Sequence, residues 1–137
     1  MSEFRTQKKD AKRKQMHNFK NLKVWQRAMS LCKMVYQATR SFPQEERFGL
    51  TSQIKRAVVS VPSNIAEGAS RTSNKDFTRF LTMAPGSLYE LETQLILAKE
   101  LGFLGQEPFV EITGEVNQIQ KMLISFNQYI DKEATQN

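Results

Sequence analysis

The chain has 137 residues, 39% of them hydrophobic and 25% charged, which is the composition of one ordinary globular domain with a core of its own. Against 14 Asp and Glu stand 20 Lys and Arg, a formal charge of +6. One cysteine, Cys32, and one histidine, His17, exclude a disulfide framework within the chain, a cysteine-based zinc site and any site that needs two imidazoles.

Residues 1–17 form a basic leader in which Arg5, Lys8, Lys9, Lys12, Arg13 and Lys14 face Glu3 and Asp10, for a net +4. That composition predicts a disordered tail. No apolar run follows it, which argues against a secretory signal. No stretch reaches the length of about 18 apolar residues that a membrane span needs. With a lone cysteine, these features predict a soluble protein of the cytoplasm.

A first helix is predicted at about 20–40, because Leu22, Trp25, Met29, Cys32, Tyr36 and Thr39 step by three and four and so share one face. Val24, Leu31 and Val35 widen its apolar arc. Ser41-Phe42-Pro43 ends it, since the residue before proline is pushed out of the helical region.

Pro43 then opens a second helix, about 44–70, with Glu45 and Glu46 favourable in its first turn. Leu50, Ile54, Ala57 and Val61 are its inward stripe, flanked by Val59 and Ala66. Pro62 interrupts it and frees the carbonyl of Val58. Past Pro62 the stripe reaches Asn64 and Gly68, with Ile65 as an alternative inward residue. Asn64 would fix register at a core or seam position. Gly68 would allow a close helix approach or end the helix. Gln53, Arg56, Ser60, Ser63 and Glu67 fall on the far, solvated face.

Ser73 is a good N-cap for a third helix, about 74–101, with Asp76 at the reach-back position of a capping box. Phe77, Leu81, Ala84, Leu88, Leu91, Leu95 and Ala98 form its stripe. Pro85 interrupts it, freeing the Leu81 carbonyl, and Ile96 and Leu97 make it apolar nearly all round. Gly102, Gly105 and Pro108 separate it from a fourth helix, about 107–132, whose stripe is Phe109, Ile112, Val116, Ile119, Leu123, Phe126 and Ile130. Residues 134–137 are left as a tail.

No segment of comparable length alternates with period two, so no strands are predicted. The fold class is all-α: residues 18–133 make an antiparallel, up-down-up-down four-helix bundle, because the connections are short. The alternating three–four spacing favours shallow, left-handed packing. The surplus apolar surface on the first three helices points to a second buried interface, most simply self-association.

Charge is uneven along the chain. Residues 18–56 carry +6, residues 57–104 carry −1 and residues 105–137 carry −3. Such asymmetry points to an anionic partner, nucleic acid before membrane, although charge also serves solubility. Lys20, Lys23 and Arg27 lie on the polar side of the first helix. Lys55 and Arg56 lie on the second, and Arg71, Lys75 and Arg79 step by four into the third. These residues would contact phosphates of RNA or DNA largely without reading bases.

No catalytic constellation accompanies them. Cys32 sits on an apolar stripe and reads as core. Glu-x-x-His is absent, so a di-iron bundle has no support, and the glycines make neither a phosphate loop nor a dinucleotide fingerprint. No metal or cofactor is implied. The leading expectation is a non-enzymatic, oligomeric nucleic-acid-binding protein; its rival is an interaction module for a protein partner.

Phe19-Lys20-Asn21-Leu22-Lys23-Val24-Trp25-Gln26-Arg27-Ala28 resembles the opening of the four-helix-bundle family encoded in 23S rRNA intervening sequences. Ser60-Val61-Pro62-Ser63-Asn64-Ile65-Ala66-Glu67-Gly68 is similar to that family's signature. Arg71, Asp76-Phe77 and Phe80-Leu81 follow it, then Gly86-Ser87-Leu88, Glu90-Leu91, Thr93-Gln94 and Leu101-Gly102-Phe103. The resemblance spans about residues 19–130. It implies a four-helix protomer, commonly a homopentameric ring with a basic surface, and no catalytic residues. Related accessory proteins of diversity-generating retroelements bind nucleic acid and a reverse transcriptase, so the resemblance also implies a polymerase as a possible protein partner. It casts Pro62, Asn64, Glu67 and Gly68 as structural or interface residues. Pro85 departs from it: the family usually has Arg before Gly-Ser-Leu, and that phosphate or salt-bridge contact is lost here.

Overall fold

The structure is a computed structural model that describes residues 18–135. The leader 1–17, with the disorder predicted for it, and residues 136–137 lie outside the described residues. A 3-10 turn, Phe19–Asn21, precedes helix α1, Lys23–Thr39. A second 3-10 turn, Gln44–Glu46, is followed by α2, Leu50–Ala69, then α3, Asn74–Glu100, and α4, Gln106–Thr135. No strand occurs among the described residues.

Each helix packs on its two neighbours around a ring, α1 on α2, α2 on α3, α3 on α4 and α4 on α1. Cross-helix partners show that neighbours run antiparallel. Cys32 meets Val58 in the middle of α1 and α2, while Tyr36, later in α1, meets Lys55, earlier in α2. Phe77 lies edge-on to Phe126, and Lys99 sits over Phe109, at opposite ends of α3 and α4. Arg27 near the start of α1 meets Glu115 and Met122 of α4. The core between the helices is aliphatic, with Leu31, Ile54, Ile65, Leu81, Leu88, Leu91, Leu95, Ile119, Leu123 and Ile130 fully buried.

The α3 stripe is buried as its spacing predicts, and so is that of α4, with Phe109 and Phe126 packed at its margins. The α1 stripe is buried only in part: Thr39 is in the core and Leu22, Trp25 and Cys32 pack against its margin, while Met29 and Tyr36 are exposed. Val24, Ala28, Leu31, Val35 and Thr39 face the core. Trp25, Met29, Cys32 and Tyr36 lie one residue round the helix, on a partly open surface. The inward row carries no aromatic side chain, and the bulkiest residues of α1, Trp25, Met29 and Tyr36, remain outside it.

The second helix also starts later than predicted. After its 3-10 turn the chain makes a bend through Arg47, Phe48 and Gly49, and the Glu46 carboxylate accepts a hydrogen bond from the Leu50 backbone N–H at 3.1 Å. That contact satisfies one of the orphan donors of the α2 N-terminus. At the other termini the prediction and the structure agree more closely. Ser73 Oγ accepts from the Asp76 N–H at 3.1 Å. Gly102, with φ +80°, closes α3 in a Schellman motif: the Phe103 N–H donates to the Ala98 carbonyl at 2.9 Å and the Gly102 N–H to Lys99 at 3.0 Å. The fourth helix runs to Thr135, past the predicted end.

Both proline-containing helices continue without a break. Pro62 removes the N–H that would serve the Val58 carbonyl, and the Cys32 thiol donates to that carbonyl instead, at 3.4 Å. Beside Pro85, the Gln120 side-chain amide donates to the Pro85 carbonyl at 3.2 Å and ties α4 to α3. Among the described residues no helix is long and apolar enough to cross a membrane.

Candidate nucleic-acid interface

The antiparallel ring brings cations that are far apart in sequence to one end of the bundle. The 3-10 turn that carries Lys20 packs on α1 and on α2. Its Phe19 ring stands edge-on to Trp25 at 5.2 Å, and Trp25 in turn lines a groove with Ala66, near the end of α2. Lys20 and Lys23 therefore share an end with the α2–α3 connection, which supplies Arg71 and Lys75. All four are exposed.

Arg71 and Arg79 both sit over the Phe80 ring, with the guanidinium carbons 4.7 and 5.6 Å from its centroid. Phe80 is itself buried, so the aromatic face holds the two guanidiniums in place by cation–π attraction. Asp76 is 3.8 Å from the Arg79 guanidinium and tempers its charge. Gly68 is what lets α2 and α3 come together here. A Cβ at Gly68 would lie 2.8 Å from both Phe77 Cδ1 and Phe80 Cβ.

The remaining candidates are placed elsewhere. Arg27 donates from Nε and Nη2 to the two carboxylate oxygens of Glu115, both at 2.9 Å, and its pKa is raised above the ordinary value, chiefly by that hydrogen bonding. Its fork is thus engaged in a tie between α1 and α4. Lys55 lies over Tyr36, 4.9 Å from the ring centroid, past the middle of the bundle toward the opposite end. Arg56 is exposed on α2, away from the end cluster.

Asn64 donates to the Ser60 carbonyl at 2.8 Å within its own helix, so its amide does not fix register between helices. Ile65, the alternative, takes the inward position. Glu67 is exposed and Pro62 is buried.

Sequence reasoning missed two features. One is the Arg27–Glu115 pair, which only the α1–α4 contact brings together. The other is an apolar groove of about 530 Å³ between α1 and α2, lined by Trp25, Met29, Cys32, Tyr36, Val59, Pro62 and Ala66, with Lys33 and Ser63 at its margin. The surplus apolar residues signalled such a surface, and the choice of the wrong α1 stripe hid its place. Cys32 is half-buried there, and burial pushes its thiol up to about 11. It is therefore a poor nucleophile. Among the described residues no three His, Cys, Asp or Glu side chains group so as to hold a metal ion.

These features define a small all-α bundle with a cationic end and an open apolar groove. The chain belongs to the 23S rRNA-intervening sequence protein family, whose model matches residues 20–125. Among solved structures it is similar to a protein of unknown function from the S23 ribosomal protein family of Bacteroides thetaiotaomicron. The two are 25% identical with a TM-score of 0.69, over 76% of this chain and 97% of that one. No curated protein matches the chain.

Proposed function

We propose that this protein is a non-enzymatic, homo-oligomeric nucleic-acid-binding protein of the cytoplasm that contacts RNA or DNA phosphates through the cationic end of its bundle. The observation that carries the proposal is the gathering of Lys20, Lys23, Arg71, Lys75 and Arg79 at one end by the antiparallel topology. The basic leader joins the fold at that same end, at Asn18. Lysines act there as mobile point charges, while Arg71 and Arg79 are held over Phe80 as planar donors. Such a surface recognises backbone charge and carries little base specificity.

Fluorescence anisotropy of a labelled RNA hairpin, titrated with protein across a salt series, tests this. The account predicts affinity that falls steeply and linearly in log K against log salt, at about −0.9 per phosphate contact on duplex DNA and less on single strands. Absence of binding at low salt would refute it. A second reading, an interaction module for a protein partner such as a polymerase, draws on the exposed apolar surface of α1 and α2. Capture of the polymerase that survives high salt and nuclease would favour that reading.

A further inference from the structure

We infer that the α1–α2 groove is filled by the outer face of α3 from a second copy of this chain, so that copies join head to tail. The inference rests on the homo-oligomer part of the proposed function and adds to it which two surfaces meet.

The two faces match in length, chemistry and charge. From Trp25 to Tyr36 the groove runs along three turns of α1, about 16 Å. The α3 segment from Tyr89 to Glu100 has the same length. Tyr89, Thr93, Ile96 and Glu100 step by four, three and four along its outer side, with Glu90 and Leu97 beside them. Tyr89, Ile96 and Leu97 are 62%, 41% and 45% exposed, so α3 presents large apolar side chains to solvent on a helix whose core stripe is already fully used. The groove offers the complementary half: apolar walls with Met29 and Val59 at 37% and 40% exposure.

Charge decides between the possible pairings. Lys33 lines the groove and Lys55 sits over Tyr36 at its margin, and no carboxylate lines it. If two grooves met each other, these lysines would face their own copies. The α3 segment instead carries Glu90, Glu92 and Glu100. Its one cation, Lys99, is turned over Phe109 of α4. A groove-to-α3 contact therefore joins unlike charges around an apolar centre, which favours this pairing and disfavours the symmetric one. Because the two surfaces differ, each copy keeps one free groove and one free α3 face after pairing. Such a contact grows into a closed ring or an open chain.

Two single variants test this. Val59→Glu places an acid in the groove against the α3 acids, and Ile96→Lys places a cation on α3 against Lys33 and Lys55. Both sites are partly exposed, and circular dichroism melts check the fold. Sedimentation velocity of each variant alone should show monomer, with self-association weakened at least tenfold relative to the native chain. An equimolar mixture should associate again, since the intact α3 face of one fits the intact groove of the other. Native-size oligomers in both variants would overturn the pairing of faces and leave the oligomer reading standing. Two monomeric variants that do not combine on mixing would overturn it as well. A native chain that is monomeric over the same concentrations would overturn the oligomer reading with it, while the hairpin titration reports on phosphate binding independently. If either variant fails to fold, the surface charge pairs Lys33→Glu with Lys55→Glu, and Glu90→Lys with Glu100→Lys, make the same test.

Discussion

The Cys32 thiol donates to the Val58 carbonyl at 3.4 Å, and that carbonyl is the one Pro62 deprives of its helical partner. A cysteine on α1 thus offsets part of the cost of a proline in α2. Cys32→Ala removes the donor and leaves a partly buried carbonyl unserved. It should destabilise the fold by roughly 1–2 kcal/mol, and Cys32→Ser, which keeps a donor, by less. Urea unfolding of the two variants checks the order.

The same thiol gives a pH dependence with a definite sign. Burial raises it from an ordinary 9.0 to about 11, so between those values the unfolded chain releases a proton that the folded chain keeps. The unfolded state then binds fewer protons, and stability falls as pH rises through that window. The stability advantage of the native chain over Cys32→Ser should be largest below pH 9.0 and shrink by on the order of 1 kcal/mol by about pH 11. Denaturant midpoints of both proteins at several alkaline pH values would show it, and parallel curves would count against the thiol as the source.

Gly68→Ala is predicted to destabilise despite alanine's better helix propensity. The new Cβ would stand 2.8 Å from Phe80 Cβ, an atom next to the backbone that cannot swing away. Overpacking of this kind costs about 1–3 kcal/mol, and propensity returns about 1 kcal/mol at most. A lowered melting temperature is the expected result. The substitution should also disturb the Arg71–Phe80–Arg79 arrangement and weaken hairpin binding.

Much of the bundle was legible because three-and-four spacing maps directly onto one helix face. In α3 the stripe from Phe77 to Ala98 competes with no second stripe of equal regularity. In α1 two apolar rows one residue apart have the same period, and bulk favoured Trp25, Met29 and Tyr36 over Ala28 and Val35. Close packing reversed that choice, and a single sequence carries no signal of how near a neighbour will come. Pro43 and the acids after it read as a helix start, but Glu46 uses its carboxylate as a cap for Leu50, four residues past the end of its own 3-10 turn. At the candidate site, Lys20, Lys23, Arg71, Lys75 and Arg79 were visible as cations. Arg27 looked the same until Glu115 of α4 came within reach.

The Arg27–Glu115 pair should therefore behave as a structural tie. Its geometry is bidentate, while Arg27 remains well exposed, so a double-mutant cycle with Arg27→Gln and Glu115→Gln should give a coupling of roughly 0.5–1 kcal/mol in stability. Arg27→Gln alone should leave hairpin affinity within about twofold of the native value. A large loss of affinity with little loss of stability would return Arg27 to the phosphate contacts.

The most direct test of the cationic end compares two variants in the hairpin salt series. In the first, Lys20, Lys23, Arg71 and Lys75 are all changed to Gln; in the second, Arg40 and Arg47 at the opposite end are changed to Gln. The account predicts that the first variant loses most of its affinity at low salt. Its log–log salt slope should flatten by about three units, since each lost phosphate contact removes about 0.7–0.9 of a unit. The second should keep the native slope. Equal slopes for the native chain and the first variant would contradict the assignment of phosphate binding to this end of the bundle.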